Sequence, residues 1–115
     1  MVAKNLHWWK RDEIAVQQIH LFKKMITLDR PYGVFVSNGE VHIADTSSQR
    51  VRKVLRNGQI VTIAGTGTQG YNGDDQLATN AQLIFPISVI VSSSDQVYIS
   101  EMYGHRIRKI AMAKL

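Results

Sequence analysis

A chain of 115 residues, 44% apolar and 20% charged, is long enough to bury one core and too well mixed to be disordered throughout. The net charge of +5 is modest, and the absence of cysteine excludes disulfides, thiol catalysis and zinc–thiolate sites while leaving the compartment open. No apolar run reaches the length of a membrane span, and charge interrupts the opening MVAKNLHWWKRDE, so neither a signal peptide nor a membrane partner is expected.

In residues 1–30, Ala15, Ile19, Phe22 and Ile26 recur at helical spacing with Asp12 placed to cap. A basic amphipathic helix over 12–26 is predicted, with Trp8 and Trp9 as an apolar anchor that would cover an open sheet face. The same stretch is also compatible with unrelated sequence joined to the remainder of the chain.

From Pro31 the pattern changes to short strands. GVFVS (33–37) is β-branched and aromatic, Asn38-Gly39 marks a hairpin turn, and VHIAD (41–45) alternates. TSSQ (46–49) turns, RVRKVL (50–55) is a third strand, and QIVTIAG (59–65) a fourth. Val51 and Val54 point to opposite faces of one strand, yet both are apolar, as in a sheet covered on both sides.

Gly65, Gly67 and Gly70 then spell G-x-G-x-x-G, the outline of a dinucleotide-binding turn. Such a turn must open a helix in a βαβ unit, with an acid about twenty residues on. Here YNGDD comes next, another turn cluster, and no acid ends a parallel strand at that distance. The glycines are read as turn residues supplying positive φ, and no cofactor is expected.

The segment 86–111 repeats 31–55. Pro31 matches Pro86, and Val34-Phe35-Val36-Ser37 matches Val89-Ile90-Val91-Ser92. One extra residue enters the second hairpin turn. Val41, Ile43, Asp45, Arg50, Val51, Arg52, Lys53 and Val54 then match Val97, Ile99, Glu101, Arg106, Ile107, Arg108, Lys109 and Ile110. Four antiparallel strands per unit, repeated at this spacing, is the pattern of a propeller blade.

Both copies resemble NHL repeats, the propeller unit with a G-V-x-V…V-Y-I-A-D-x-x-x-x-R-I-R-K-V core. The connector TIAGTGTQGYNGDDQLATNAQLIFP resembles the linker of many such arrays. Asp75 departs from a usual glycine, and Ser100-Glu101 replaces Ala-Asp. The resemblance implies an all-β fold of antiparallel four-stranded blades, about two in number and forming an incomplete propeller, behind a short N-terminal helical segment. The organisation expected is a non-repeat segment 1–30 and blades over 31–115: a first blade 31–65, a connector 66–85 and a partial second blade 86–111. A closed ring takes about four to eight blades. The open blade faces are therefore expected to meet further blades of a longer array, or copies of the chain as a homo-oligomer, three copies making a six-bladed ring.

Candidate sites emerge from this frame. Asp45 with Arg50, and Glu101 with Arg106, recur five residues apart and are read as structural pairs closing the turn between second and third strands. Strand parity places TSSQ, MYGH (102–105) and the connector at one end, where Gln69, Tyr71, Asn72, Tyr103 and His105 form the expected partner-binding surface. The histidines (His7, His20, His42, His105) lack the spacing of a metal site, and His42 is given a packing role. Asn72, Asp74 and Asp75 lack the spacing of a calcium loop and are read as a side-chain-stabilised turn. No G-x-S-x-G context is present, and no catalytic residue is singled out.

The function expected is a non-enzymatic interaction module presenting loops to a protein partner. Two alternatives stand beside it. Some NHL propellers bind single-stranded RNA on a basic face, for which Arg52, Lys53, Arg56, Arg108 and Lys109 would form the stripe. Others are metal-dependent lyases, whose residues are not identifiable here.

Overall fold

Alternating apolar residues and the turn chemistry between them produce seven strands in the computed structural model, which describes residues 27–111. The helix expected over 12–26 and the Trp8-Trp9 anchor lie outside the described residues. The strands are β1 (Pro31–Ser37), β2 (Glu40–Asp45), β3 (Arg50–Val54), β4 (Ile60–Ala64), β5 (Pro86–Val91), β6 (Val97–Glu101) and β7 (Ile107–Ile110). They form two antiparallel sheets in simple chain order, β1-β2-β3-β4 and β5-β6-β7. Among the described residues the fold is all-β, as expected.

The turns show the repeat as clearly as the strands do. Asn38 and Gly39 both take positive φ (52° and 76°), the two-residue turn whose twist suits a hairpin. The extra residue of the second copy converts this into a longer loop closed by Asp95 N–H to the Ser92 carbonyl (2.9 Å) and Ser92 N–H to the Gln96 carbonyl (2.9 Å). Asp95 supplies the left-handed residue there, with φ 63°. Gln49 and His105 share a left-handed conformation at the next turn, as do Arg30 and Phe85 just before the two prolines. Even the irregular register recurs, at Pro31/Gly33 and at Pro86/Ser88.

The two sheets pack face to face. Ala44, Val51, Ala64, Leu83, Val89, Val97 and Ile99 form the buried core between them, flanked by Phe35, Ile63, Val91 and Ile110. Gly33 sits where β1 crosses closest to β5: a Cβ there would stand 2.5 Å from the Ile87 carbonyl oxygen. Two buried side chains bolt the first sheet's turn to the second sheet. Thr46 Oγ1 donates to the Pro86 carbonyl (2.7 Å), and Gln49 Oε1 accepts from Phe85 N–H (2.6 Å).

Ile43, Val54 and Ile60 form a second cluster with Leu28 and Val41. Val51 and Val54 thus serve different clusters, one on each face of the first sheet. Matched positions of the two copies show what each face is for. Val34, on the face with Ile43, is 67% exposed, whereas its counterpart Val89 is 2% exposed because it rests on the first sheet. Val51 is fully buried, whereas its counterpart Ile107 is 73% exposed on the opposite face of the second sheet. Each side chain of this size stabilises by about 1.5–3 kcal/mol when fully covered.

Candidate functional site

The loops that join β2 to β3, β6 to β7, and the first sheet to the second gather at one end of the molecule. Each is pinned there by an acid–arginine unit. In the first sheet the buried Asp45 accepts from Arg52 Nε (3.0 Å), Ser48 Oγ (2.6 Å) and the backbone N–H of Asp29 (2.7 Å). In the second, Glu101 accepts from Arg108 Nη1 (3.2 Å) and the backbone N–H of Ile84 (3.2 Å). Asp29 and Ile84 each lie two residues before the proline that opens a first strand, so the acid clamps the chain where it enters the sheet.

This corrects the expected pairing. The arginine that meets each acid is Arg52 rather than Arg50, and Arg108 rather than Arg106. Arg50 lies directly across the ladder from Asp45. A long guanidinium side chain overshoots a partner that close and reaches the diagonal neighbour instead, the geometry of Arg52 and Asp45.

The two arginines released from that role hold the connector. Arg50 Nη2 donates to the Thr66 carbonyl (2.9 Å), with Gly67 packed so tightly on the guanidinium that a Cβ would not fit. The Arg106 guanidinium lies 3.9 Å from the centre of the Tyr71 ring, and that of Arg108 lies 5.1 Å from it. Arg108 Nη2 also donates to Asp74 Oδ1 (2.9 Å), and the Tyr71 hydroxyl donates to Asp74 Oδ2 (2.8 Å). Tyr71, Asp74, Arg106 and Arg108 therefore form one aromatic–ionic cluster between the connector and β7. Its hydrogen bond to the Asp74 carboxylate raises the Tyr71 pKa above its ordinary 10.0, and the same bond, followed by the Arg108 charge, lowers that of Asp74 below 3.8.

The residues expected on the partner surface divide by role. Tyr71 is 43% exposed and Tyr103 64% exposed, the latter edge-on to Phe85 with ring centres 5.5 Å apart. His105 and Gln69 are exposed, and Gln69 forms a parallel bridge to Leu83. Asn72 is engaged in the loop: Nδ2 donates to the Asn80 carbonyl (3.0 Å), and Oδ1 accepts from Gln82 N–H (2.8 Å) and Gln76 Nε2 (3.1 Å). Met102 and Arg106 join the exposed surface, which spacing alone did not single out.

Most of the other candidate residues are buried or already engaged, two of them in the acid–arginine clamps themselves. His42 is buried, and burial followed by the Lys53 charge lowers its pKa below 6.5. Of the basic stripe, Arg52 is buried on Asp45, Lys53 pairs with Glu40 (3.3 Å), Arg56 Nε donates to the Asn38 carbonyl (2.7 Å) and Arg108 is held by Asp74 and Glu101. Among the described residues no three His, Asp or Glu side chains come together as a metal site, and no helix is long and apolar enough to cross a membrane.

Residues 10–111 match the family model of the teneurin NHL domain. Teneurin-4 of Homo sapiens and Teneurin-4 of Mus musculus are each 30% identical over 102 residues, covering 76% of this chain and 4% of theirs. The chain thus spans a small part of these relatives. A structural genomics protein of unknown function from Bacteroides thetaiotaomicron superposes with a TM-score of 0.63 at 25% identity, over 69% of this chain and 20% of that one. An auxiliary nutrient binding protein from the same organism gives a TM-score of 0.57 at 23% identity, over 69% and 21%. With its repeated NHL-type sheets and a family match across most of its length, the chain belongs to the teneurin NHL-domain family.

Proposed function

We propose that the chain is a non-enzymatic interaction module that presents the loop end of its propeller sheets to a protein partner. The observation that carries this reading is the exposed group of Tyr71, Tyr103, Met102 and Arg106, in which Tyr71 is held by Asp74 and Arg106 while Tyr103 and the Met102 backbone rest on Phe85. Tyrosine, methionine and arginine are the residue types enriched in the cores of protein interfaces, and a pre-ordered side chain loses little entropy on docking. His105 and Gln69 flank this group and extend it. The arginine-stacked Tyr71 is the proposed anchor.

Quantitative affinity capture tests the reading with three forms of the protein: wild type, Tyr71→Ala/Tyr103→Ala, and Ser93→Ala/Ser94→Ala at the opposite end. A partner retained by the wild type and the serine variant but lost from the tyrosine variant is the expected result. Capture indifferent to both tyrosines, with circular dichroism unchanged, overturns it. Single-stranded RNA affinity that falls steeply with salt would instead favour the nucleic-acid alternative.

A further inference from the structure

Asn-Gly occurs three times in the chain, as Asn38-Gly39, Asn57-Gly58 and Asn72-Gly73. The dipeptide is chemically fragile, because glycine has no Cβ to keep its nitrogen away from the asparagine side chain. The fold protects the three unequally. Asn72 is tied through both side-chain atoms: Nδ2 donates to the Asn80 carbonyl (3.0 Å), and Oδ1 accepts from Gln82 N–H (2.8 Å) and Gln76 Nε2 (3.1 Å). Gly58 is buried and its N–H donates to the Leu55 carbonyl (2.8 Å), while Asn57 Oδ1 accepts from Gln59 N–H (2.9 Å). Asn38 and Gly39 are both exposed, and among the described residues neither the Asn38 side-chain amide nor the Gly39 N–H has a partner. One bond holds their shared peptide: Arg56 Nε donates to the Asn38 carbonyl (2.7 Å).

We infer that Asn38 is a deamidation site of the folded protein, with Arg56 as the latch that sets its rate. The Gly39 nitrogen, its proton lost to base, bonds to Asn38 Cγ. The Cγ–Nδ2 bond breaks, and Nδ2 leaves as ammonia with a proton from solvent. Water then adds across one of the two imide C–N bonds and gives aspartate or isoaspartate, with no oxidation or reduction.

The turn geometry explains the latch. Positive φ at both Asn38 (52°) and Gly39 (76°) makes this a type I′ turn. Closing the five-membered ring needs the Gly39 nitrogen nearly eclipsed with Cβ of Asn38, the backbone of the first central residue in a type II′ turn. The two turns share φ at Asn38 and differ by a flip of the Asn38–Gly39 peptide, which gives Gly39 a negative φ. Both suit a hairpin, so β1 and β2 stay paired while the peptide flips. The flip turns the Asn38 carbonyl away from Arg56, so the reactive turn lacks that hydrogen bond. Isoaspartate then routes the main chain through Cβ and Cγ, lengthening a two-residue turn that sets Ser37 opposite Glu40. This turn lies at the opposite end from the loop surface, so the outcome is independent of the proposed partner.

The test follows the 115-residue chain in mildly alkaline buffer by peptide mapping, with isoaspartate detected by enzymatic methylation. Asn38 should deamidate at least about fivefold faster than Asn57, the factor for one further hydrogen bond to break, with Asn72 the slowest. In denaturing urea the three rates should converge. Arg56→Ala should speed the reaction at Asn38 by about fivefold and leave Asn72 unchanged. Asn57 or Asn72 reacting as fast as Asn38 in the folded protein would overturn the inference, as would an unchanged or slower Asn38 rate in Arg56→Ala. Equal acceleration at Asn38 and Asn72 in that variant would also overturn it, by showing general opening of the fold rather than release of one turn.

Discussion

Val51 and Ile107 occupy the same position in two copied strands, yet the first is completely buried and the second is 73% exposed. The difference is made by the neighbour: Val51 lies under the second sheet and Ile107 lies on the far side of it. Val51→Ala should cost about 2 kcal/mol, combining lost burial with the cavity left between the sheets. Ile107→Ala should change stability by less than about 0.5 kcal/mol in a monomer. Urea denaturation of both variants checks this, and equal losses would mean that Ile107 is covered in solution.

Arg52 and Arg50 sit two residues apart in β3, with unequal duties. Removing Arg52 leaves the fully buried Asp45 without its cation, whereas removing Arg50 takes away a hydrogen bond to the Thr66 carbonyl at the connector. Arg52→Ala should therefore cost about 3–5 kcal/mol, as for a broken buried pair. Arg50→Ala should cost about 1 kcal/mol. A larger loss for Arg50→Ala would restore the pairing that residue spacing first suggested.

The strands were legible because their alternation and turn residues are local signals, and because a second copy repeated them. Asn38-Gly39 announced its hairpin, and Val51 with Val54 announced a sheet covered on both faces. The acid–arginine pairs were displaced by two residues because spacing identifies the nearest backbone partner, while the length of arginine selects the diagonal one. Thr46 and Gln49 escaped notice for another reason. Comparison of copies finds what they share, and the counterparts Met102 and His105 have neither the chemistry nor the burial. The Tyr71–Arg106 contact joins the connector to the turn before β7, 35 residues further on, and no periodicity reports that.

Tyr71 and Asp74 are coupled by a hydrogen bond that requires the tyrosine proton and is strongest while the aspartate is ionised. The Tyr71 pKa is raised, so this contribution is present below pH 10.0 and lost as pH rises through the folded value. The Asp74 pKa is lowered, so the contribution is present above pH 3.8 and lost as pH falls through the folded value. Tyrosinate absorbance should show a late-titrating component that Tyr71→Phe removes and Asp74→Asn moves down toward 10.0. A Tyr71 component titrating at or below 10.0 in the wild type would contradict the hydrogen bond.

Glu101 and Gly104 stand where the first sheet has Asp45 and Ser48. There the serine hydroxyl donates to the carboxylate at 2.6 Å. Here glycine offers no hydroxyl, and Glu101 Oε1 is buried without a hydrogen-bond donor among the described residues. The longer glutamate fills the space itself, so a Cβ on Gly104 would collide with Oε1. Gly104→Ser alone should therefore destabilise, and Glu101→Asp alone should weaken the reach to Arg108 and to Ile84 N–H. Made together, the substitutions recreate the first sheet's arrangement, and each relieves the fault of the other. A double-mutant cycle should return a favourable coupling of about 1 kcal/mol or more, with the double variant at least as stable as the wild type. Additive losses would show that the two sheets, alike in sequence and register, hold their acids in different ways.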